Sequence, residues 1–337
     1  MTRPKILTTL PMDPAGDRIV APVADIVVAP DSSAETLKRI VGDADVLVVR
    51  THLPADLLER PHRLLGIVRH GTGLDMIPVE AATAQAVPVA NVPGVNAEAV
   101  AEYCIGSLLA LARQLHTMDR ELHTTGWNEA RRRTEVTFEL SGRTIGIVGV
   151  GAIGRRIAGI CHHGFGMRVL GYQRRRDALP AFIEPAELDA LFASSDVISL
   201  NCPLTPETRH LADERRLRLM KPHALLVNAA RGPVVDEAAL ARVLAEGRIG
   251  GAALDVFGEQ PLRRDHPFLG LPNVLLTPHA AGLTQEASRR MGEGAAREVL
   301  RLLAGERPEN LVNPEIWDRS LERRARLAAD ARKGAAA

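Results

Sequence analysis

Lysine is scarce in this chain of 337 residues: of 42 basic side chains, all but Lys5, Lys38, Lys221 and Lys333 are arginine. That bias marks composition more than a binding surface, because 41 acidic residues leave a net charge of only +1. Aromatic residues are equally sparse, at 3%. With neither a basic footprint nor a supply of stacking rings, nucleic acid is not an expected partner. Cysteine occurs only at Cys104, Cys161 and Cys202, without CxxC spacing. This argues against a disulfide framework or a metal knuckle, and suits reduced, buried thiols in the cytoplasm. No apolar run approaches the roughly 18 residues that cross a bilayer, and Met1-Thr2-Arg3-Pro4-Lys5 opens no signal-peptide core. The expected partner is a small molecule or another protein, with no membrane involved.

What the chain does have is alternation. Short apolar runs at Ile6 to Leu10, Ile26 to Ala29, Val46 to Val49, Leu64 to Val68 and Val87 to Val89 are separated by polar helical stretches. This is the pattern of βαβ units on a mostly parallel sheet. Ala97 to about Leu115 is apolar around much of its circumference and reads as a buried helix, between domains or subunits. His116 to Arg143 reads as a polar connector. From Thr144 the alternation resumes. Strands are predicted at Thr144 to Val148, Arg168 to Tyr172, Val197 to Leu200, Ala224 to Asn228, Gly251 to Asp255 and Val274 to Thr277. Helices are predicted near Pro185 to Phe192, Asp213 to Leu219 and Asp236 to Ala245, with a last long one from Thr284 to about Leu303 and a charged tail of uncertain order after it.

The Thr144 to Val148 strand runs directly into Gly149-Val150-Gly151-Ala152-Ile153-Gly154, and a helix is predicted from Arg155 to His163. Strand, glycines, helix is the context of a dinucleotide fingerprint. The first glycine serves the turn, the second lets backbone approach a pyrophosphate, and the third packs helix on strand. Ligands of such sheets bind beyond the carboxyl ends of the strands. Three successive strand ends present Arg231, then Glu259 or Gln260, then His279. A guanidinium suits a carboxylate or polarised carbonyl, and an imidazole suits proton transfer near neutral pH. The segment His70-Gly71-Thr72-Gly73, after the fourth early run, is either a loop whose amides cradle an anion or a plain strand exit.

Six motifs, in this order, resemble the D-isomer-specific 2-hydroxyacid dehydrogenases: Asn91 to Glu102, Gly149 to Gly154, Asn201 to Thr208, Asn228 to Gly232, Leu254 to Phe257 and Pro278 to Thr284. The resemblance runs to about residue 315. It implies two Rossmann-like doubly wound parallel-sheet domains of the α/β class. A nucleotide domain (100–293) would be inserted into a flavodoxin-like substrate domain (1–99 with 294–337), with the site in the cleft and a homodimer as the usual assembly. Arg231 would bind substrate carboxylate and carbonyl, His279 would be the acid/base, and His70, Gly71, Thr72 and Gly73 would form the carboxylate-binding loop. Cofactor contacts would come from Gly149, Gly151, Ala152, Ile153, Gly154, Cys202, Pro203, Thr208, Ala229, Ala230, Arg231, Asp255, His279 and Gly282, with Asp255 near the nicotinamide amide.

Two positions depart from the family pattern. The acidic residue that usually holds the adenosine ribose is replaced by Gln173, followed by Arg174, Arg175 and Arg176. Losing a carboxylate and gaining guanidinium groups there favours NADP over NAD. The catalytic carboxylate that usually pairs with the histidine is Gln260. Formate dehydrogenases of the same superfamily are similar in pairing a glutamine with the histidine. The expected activity is NAD(P)-dependent interconversion of a small 2-keto acid and its D-2-hydroxy acid, with Arg231, Gln260 and His279 at the reacting centre. The alternatives are oxidation of another small anion such as formate, or a nucleotide-sensing, corepressor-like binding protein.

Overall fold

The computed structural model describes residues 3–174 and 179–336. The chain divides into two units, Met1–Asn96 with Thr284–Ala337, and Ala97–Leu283. Both divisions fall at the start of a helix. The expected boundary at 293/294 would instead have cut through the Gln285–Ala304 helix.

The first unit is a five-stranded parallel sheet: β1 (Lys5–Thr8), β2 (Asp25–Val28), β3 (Val46–Val49), β4 (Gly66–Arg69) and β5 (Val89–Ala90), in the order β2-β1-β3-β4-β5. This is the flavodoxin-type doubly wound order. The central strands are buried on both faces. Leu7, Leu47 and Ile67 face one apolar cluster, while Ile6, Val46 and Val68 face another completed by Ala295, Val299 and Leu302 of the Gln285–Ala304 helix. Two-sided burial is why these strands read as continuous apolar runs instead of alternating ones. Thr284 caps that helix through the Ala287 amide, and Gly305 ends it in a left-handed turn.

The charged tail is helical, from Trp317 to Ala336. Its arginines reach backbone carbonyls remote in sequence. Arg324 donates to Leu302 and Leu303 at the end of the preceding helix (2.7 and 2.6 Å), and Arg319 to Ala84 (3.2 Å).

The second unit carries seven parallel strands: β6 (Thr144–Val148), β7 (Arg168–Tyr172), β8 (Ile183–Pro185), β9 (Val197–Leu200), β10 (Leu225–Asn228), β11 (Gly251–Leu254) and β12 (Val274–Leu276). Their order, β12-β11-β10-β9-β6-β7-β8, reverses direction between β6 and β9. That is the Rossmann arrangement with one additional strand. The helix expected near Pro185 to Phe192 is instead a short edge strand followed by a helix at Leu188–Ser194. The expected connector holds helices at Leu115–Thr124 and Trp127–Arg132. The Ala97–Ala112 helix buries Val100, Cys104, Leu108 and Leu111 in the core of this same unit.

At the amino ends of β6, β9 and β10, Asp196 ties three strands together. Its carboxylate accepts from the Thr144 amide (2.8 Å), Lys221 Nζ (2.9 Å) and His223 Nε2 (2.8 Å), with Arg143 at 3.6 Å. Burial opposes the charge, but these donors outweigh it and hold the carboxyl at about 2. A folded pKa below the unfolded one contributes stability that is fully present above the unfolded value and is lost as pH falls through the folded one. Asp196→Asn should therefore lower unfolding free energy at neutral pH by about 2 kcal/mol. It should also flatten the loss of stability between about pH 4 and pH 2. Urea unfolding at both ends of that window checks this, and equal acid sensitivity in wild type and variant contradicts it.

Candidate active site

The glycines after β6 divide their labour as the fingerprint requires. Gly149 sits at φ +93°, and a Cβ there would lie 2.7 Å from the Cys202 amide. A Cβ on Gly154 would strike the Gly149 carbonyl at 2.2 Å, so this glycine sets how closely helix packs on strand. Gly151 is different: a Cβ would meet nothing within 4 Å, leaving open space in front of the helix Ala152–Gly159. Backbone approachable from outside, beside first-turn amides that have no partner within their helix, suits a pyrophosphate. The helix thus begins at Ala152, not Arg155, which places Ala152, Ile153 and Gly154 in its first turn, and it ends in a π-turn at Ile160–Gly164.

The neighbouring strand ends lie around this turn. Gln173 follows β7 and is half-buried, while Arg174 is exposed; Arg175 and Arg176 lie outside the described residues. The Glu207 carboxyl is held low chiefly by Thr205 and its own amide, with a smaller contribution from Arg174. In the loop that follows β9 the Thr208 hydroxyl accepts from the Thr205 amide (2.7 Å) and donates to Pro203 O (2.6 Å), so it shapes the turn that presents Cys202 and Pro203. Burial pushes the Cys202 thiol up to about 11, which keeps it protonated.

The three carboxyl ends of β10, β11 and β12 converge. After β10, Asn228 accepts from the Ala230 amide (3.1 Å) and donates to Arg231 O (2.9 Å), fixing the turn that holds Ala229, Ala230 and Arg231. The Arg231 guanidinium is half-buried and donates to Ala230 O at 2.6 Å. Gly232 rests directly on the next loop, since a Cβ there would lie 2.0 Å from the Phe257 carbonyl carbon. No side chain fits between the turn that presents Arg231 and the loop that carries Gln260.

Gln260 Oε1 lies 2.9 Å from His279 Nδ1, and Gln260 Nε2 donates to Phe257 O at 3.2 Å. With the amide nitrogen directed at a carbonyl, the amide oxygen faces the imidazole. Nδ1 then carries a hydrogen, which leaves Nε2 open to exchange a proton. His279 adopts φ +56°, a left-handed conformation costing a non-glycine residue about 1 kcal/mol or more. Asp255, 1% exposed, holds the following backbone with both carboxylate oxygens, on the amides of Ala280 (2.7 Å) and Ala281 (2.9 Å), just before Gly282. Composition and spacing gave no sign of this strained backbone or its clamp.

In the first unit, the loop after β4 turns at Gly71, φ +132°. Arg69 braces it by donating to Val49 O (2.8 Å), His70 O (2.9 Å) and Gly73 O (3.0 Å), while Asn91 donates to Thr72 O at 2.8 Å. His70 is buried, and among the described residues its Nε2 has no hydrogen-bond partner. Burial first, then the charge of Arg50, pushes the ring down to about 4, so it is neutral at pH 7. Among the described residues, no cluster of histidine, cysteine and carboxylate side chains could hold a metal, and no helix is long and apolar enough to cross a membrane.

Comparison with known proteins identifies the family. Residues 105–281 match the family model for the D-isomer specific 2-hydroxyacid dehydrogenase, NAD binding domain. A glyoxylate reductase of Thermofilum pendens is 39% identical over 94% of this chain and 96% of its own. Among solved structures, an NADPH-dependent glyoxylate/hydroxypyruvate reductase of Sinorhizobium meliloti, in complex with NADP and malonate, superposes with TM-score 0.82 at 28% identity, covering 93% of this chain and 98% of that one. An NAD-dependent formate dehydrogenase of Staphylococcus aureus, in complex with NAD, gives 0.83 at 28% identity, over 91% and 98%. The family match and full-length relatives, together with two parallel-sheet units of the expected topologies, show that this chain belongs to the D-isomer-specific 2-hydroxyacid dehydrogenases and is an NAD(P)-dependent oxidoreductase of that family.

Proposed function

We propose that the enzyme reduces a small 2-keto acid of the glyoxylate class to the D-2-hydroxy acid, with NADPH preferred. The observation that carries this reading is that Arg231, Gln260 and His279 follow three adjacent strands of the same sheet that carries the Gly149–Gly154 turn, with Gln260 and His279 paired. The bound nicotinamide supplies the hydride that reduces the keto carbon. Arg231 grips carboxylate and carbonyl and offsets charge growing on the carbonyl oxygen. His279 gives that oxygen its proton from Nε2, and Gln260 keeps the ring oriented by accepting from Nδ1. The loop from His70 to Gly73, braced by Arg69 and Asn91, is assigned to the substrate carboxylate on the family resemblance.

Preference for NADPH rests on Gln173 in place of a carboxylate and on the exposed Arg174 that follows it. A steady-state screen of 2-keto acids with both reduced cofactors tests substrate and cofactor together. The expected result is a higher kcat/KM with NADPH, and equal or better values with NADH contradict the preference. Formate oxidation is a second reading, favoured by the neutral partner of His279, and formate with NAD in the same screen decides it. The exposed Leu115, Leu122, Trp127 and Val136 suit a homodimer contact, and three buried, unpaired cysteines suit the cytoplasm.

A further inference from the structure

Behind the His279 loop runs a hydrogen-bond chain for which the reaction above has no use. The Tyr103 hydroxyl, on the Ala97–Ala112 helix, lies 2.8 Å from Thr277 Oγ1. Thr277 Oγ1 lies 2.6 Å from Asp255 Oδ1, the oxygen that also accepts the Ala280 amide. The direction of this chain follows from chemistry. A carboxylate only accepts, so Thr277 must donate its single proton to Asp255, and its lone pair then takes the proton of Tyr103. Tyr103 is half-buried, and burial pushes its phenol upward, so it remains a donor at neutral pH.

The chain ends on the backbone of the catalytic loop. Asp255 receives the amides of Ala280 and Ala281, the two residues after His279, while its own carbonyl accepts the His279 amide at 2.8 Å. The His279 amide also lies 3.1 Å from Thr277 O. Asp255 and Thr277 thus hold the left-handed His279 backbone from both sides of its peptide. A carboxylate with two amide donors could still turn about its side-chain torsions; the Thr277 hydroxyl, itself pinned by Tyr103, removes that freedom.

We propose that Thr277 and Tyr103 are positioning residues for His279. They lock the Asp255 carboxylate that clamps the backbone after His279, and through it set where the imidazole stands against Gln260. The inference rests on His279 being the acid/base, and the experiment separates the two claims.

Single-turnover reduction of glyoxylate by NADPH, or of the best 2-keto acid from the screen, is measured for Thr277→Val, Thr277→Ser, Tyr103→Phe and His279→Asn. Thr277→Val keeps the shape of the side chain and removes the donor. Its rate constant should fall about tenfold with KM and cofactor Kd within about twofold of wild type, and Thr277→Ser should recover most of the loss. Tyr103→Phe should fall about threefold in the same pattern. A Thr277→Val rate within twofold of wild type overturns the proposal. So does a loss that appears in KM or cofactor Kd instead, or one that serine does not rescue. If Thr277→Val does not fold, Tyr103→Phe decides: an unchanged rate constant overturns the proposal. His279→Asn retaining more than a tenth of the rate removes the acid/base assignment itself. His279→Asn inactive beside an active Thr277→Val removes the positioning claim alone.

Discussion

Arg231→Lys is expected to lower kcat/KM for the best 2-keto acid by about a hundredfold, ~2.7 kcal/mol of transition-state stabilisation, although the charge is kept. The guanidinium is a planar fork that can meet a carboxylate and a carbonyl together, whereas an ammonium is a compact point charge on a flexible stem. The surroundings of Arg231 sharpen the difference. An Nη1 bond to Ala230 O orients the head group, Asn228 braces the turn from both sides, and Gly232 seats it on the Phe257–Gly258 peptide. A stiff turn cannot shift to bring a shorter reach of donors to the same two oxygens. Cofactor affinity, read by fluorescence quenching, should stay within a few-fold, which separates this loss from a collapsed strand end. A fall in kcat/KM of less than about tenfold, ~1.4 kcal/mol, is incompatible with Arg231 holding both groups.

Much of this arrangement was legible in the sequence because the central strands of both sheets are covered on both faces. The strands Val46–Val49, Thr144–Val148, Arg168–Tyr172 and Val197–Leu200 have the predicted bounds, each marked by its apolar run. Residues just beyond such runs could be assigned to strand ends without any structure. The elements that were missed lack that signal. Ile183–Pro185 is a three-residue edge strand ending in proline, too short for a pattern. Gln114 takes φ +52° between two helices, so periodicity read across it blurs and the second helix looks like a connector. The Trp317–Ala336 helix is fastened by arginines to carbonyls at residues 84, 302 and 303, contacts that no local pattern encodes. The candidate site divides in the same way. Arg231, Gln260 and His279 stand out by residue type at strand ends. The left-handed backbone of His279 and the chain from Tyr103 through Thr277 to Asp255 join residues far apart in sequence, which no local pattern encodes.

Gln260→Glu is expected to move the alkaline limb of the reductive pH–rate profile upward by about one unit. On the proposed mechanism reduction requires His279 protonated at Nε2, so its rate falls as pH rises through the imidazole pKa. In the wild type the group 2.9 Å from Nδ1 is a neutral amide oxygen, which orients the ring without adding a full charge. A carboxylate in its place favours the imidazolium and raises that pKa, so protonated enzyme persists to higher pH. Oxidation needs the neutral ring, and its acidic limb should rise by the same amount. The shift is set at about one unit, not the two or three of a buried pair, because Gln260 is exposed and solvent screens the new charge. The acidic neighbour Glu259 is not the natural partner. Its charge acts on Arg263, which is paired first with Asp265, and it lines a cavity with Glu237 and His266. Glu259→Gln should accordingly leave the profile in place. The measurement needs hydride transfer to be rate-limiting, established by a deuteride isotope effect with 4-deuterated cofactor. With that effect present, an unshifted limb in Gln260→Glu would falsify the pairing of Gln260 with the acid/base, and a downward shift in Glu259→Gln would transfer the role to Glu259.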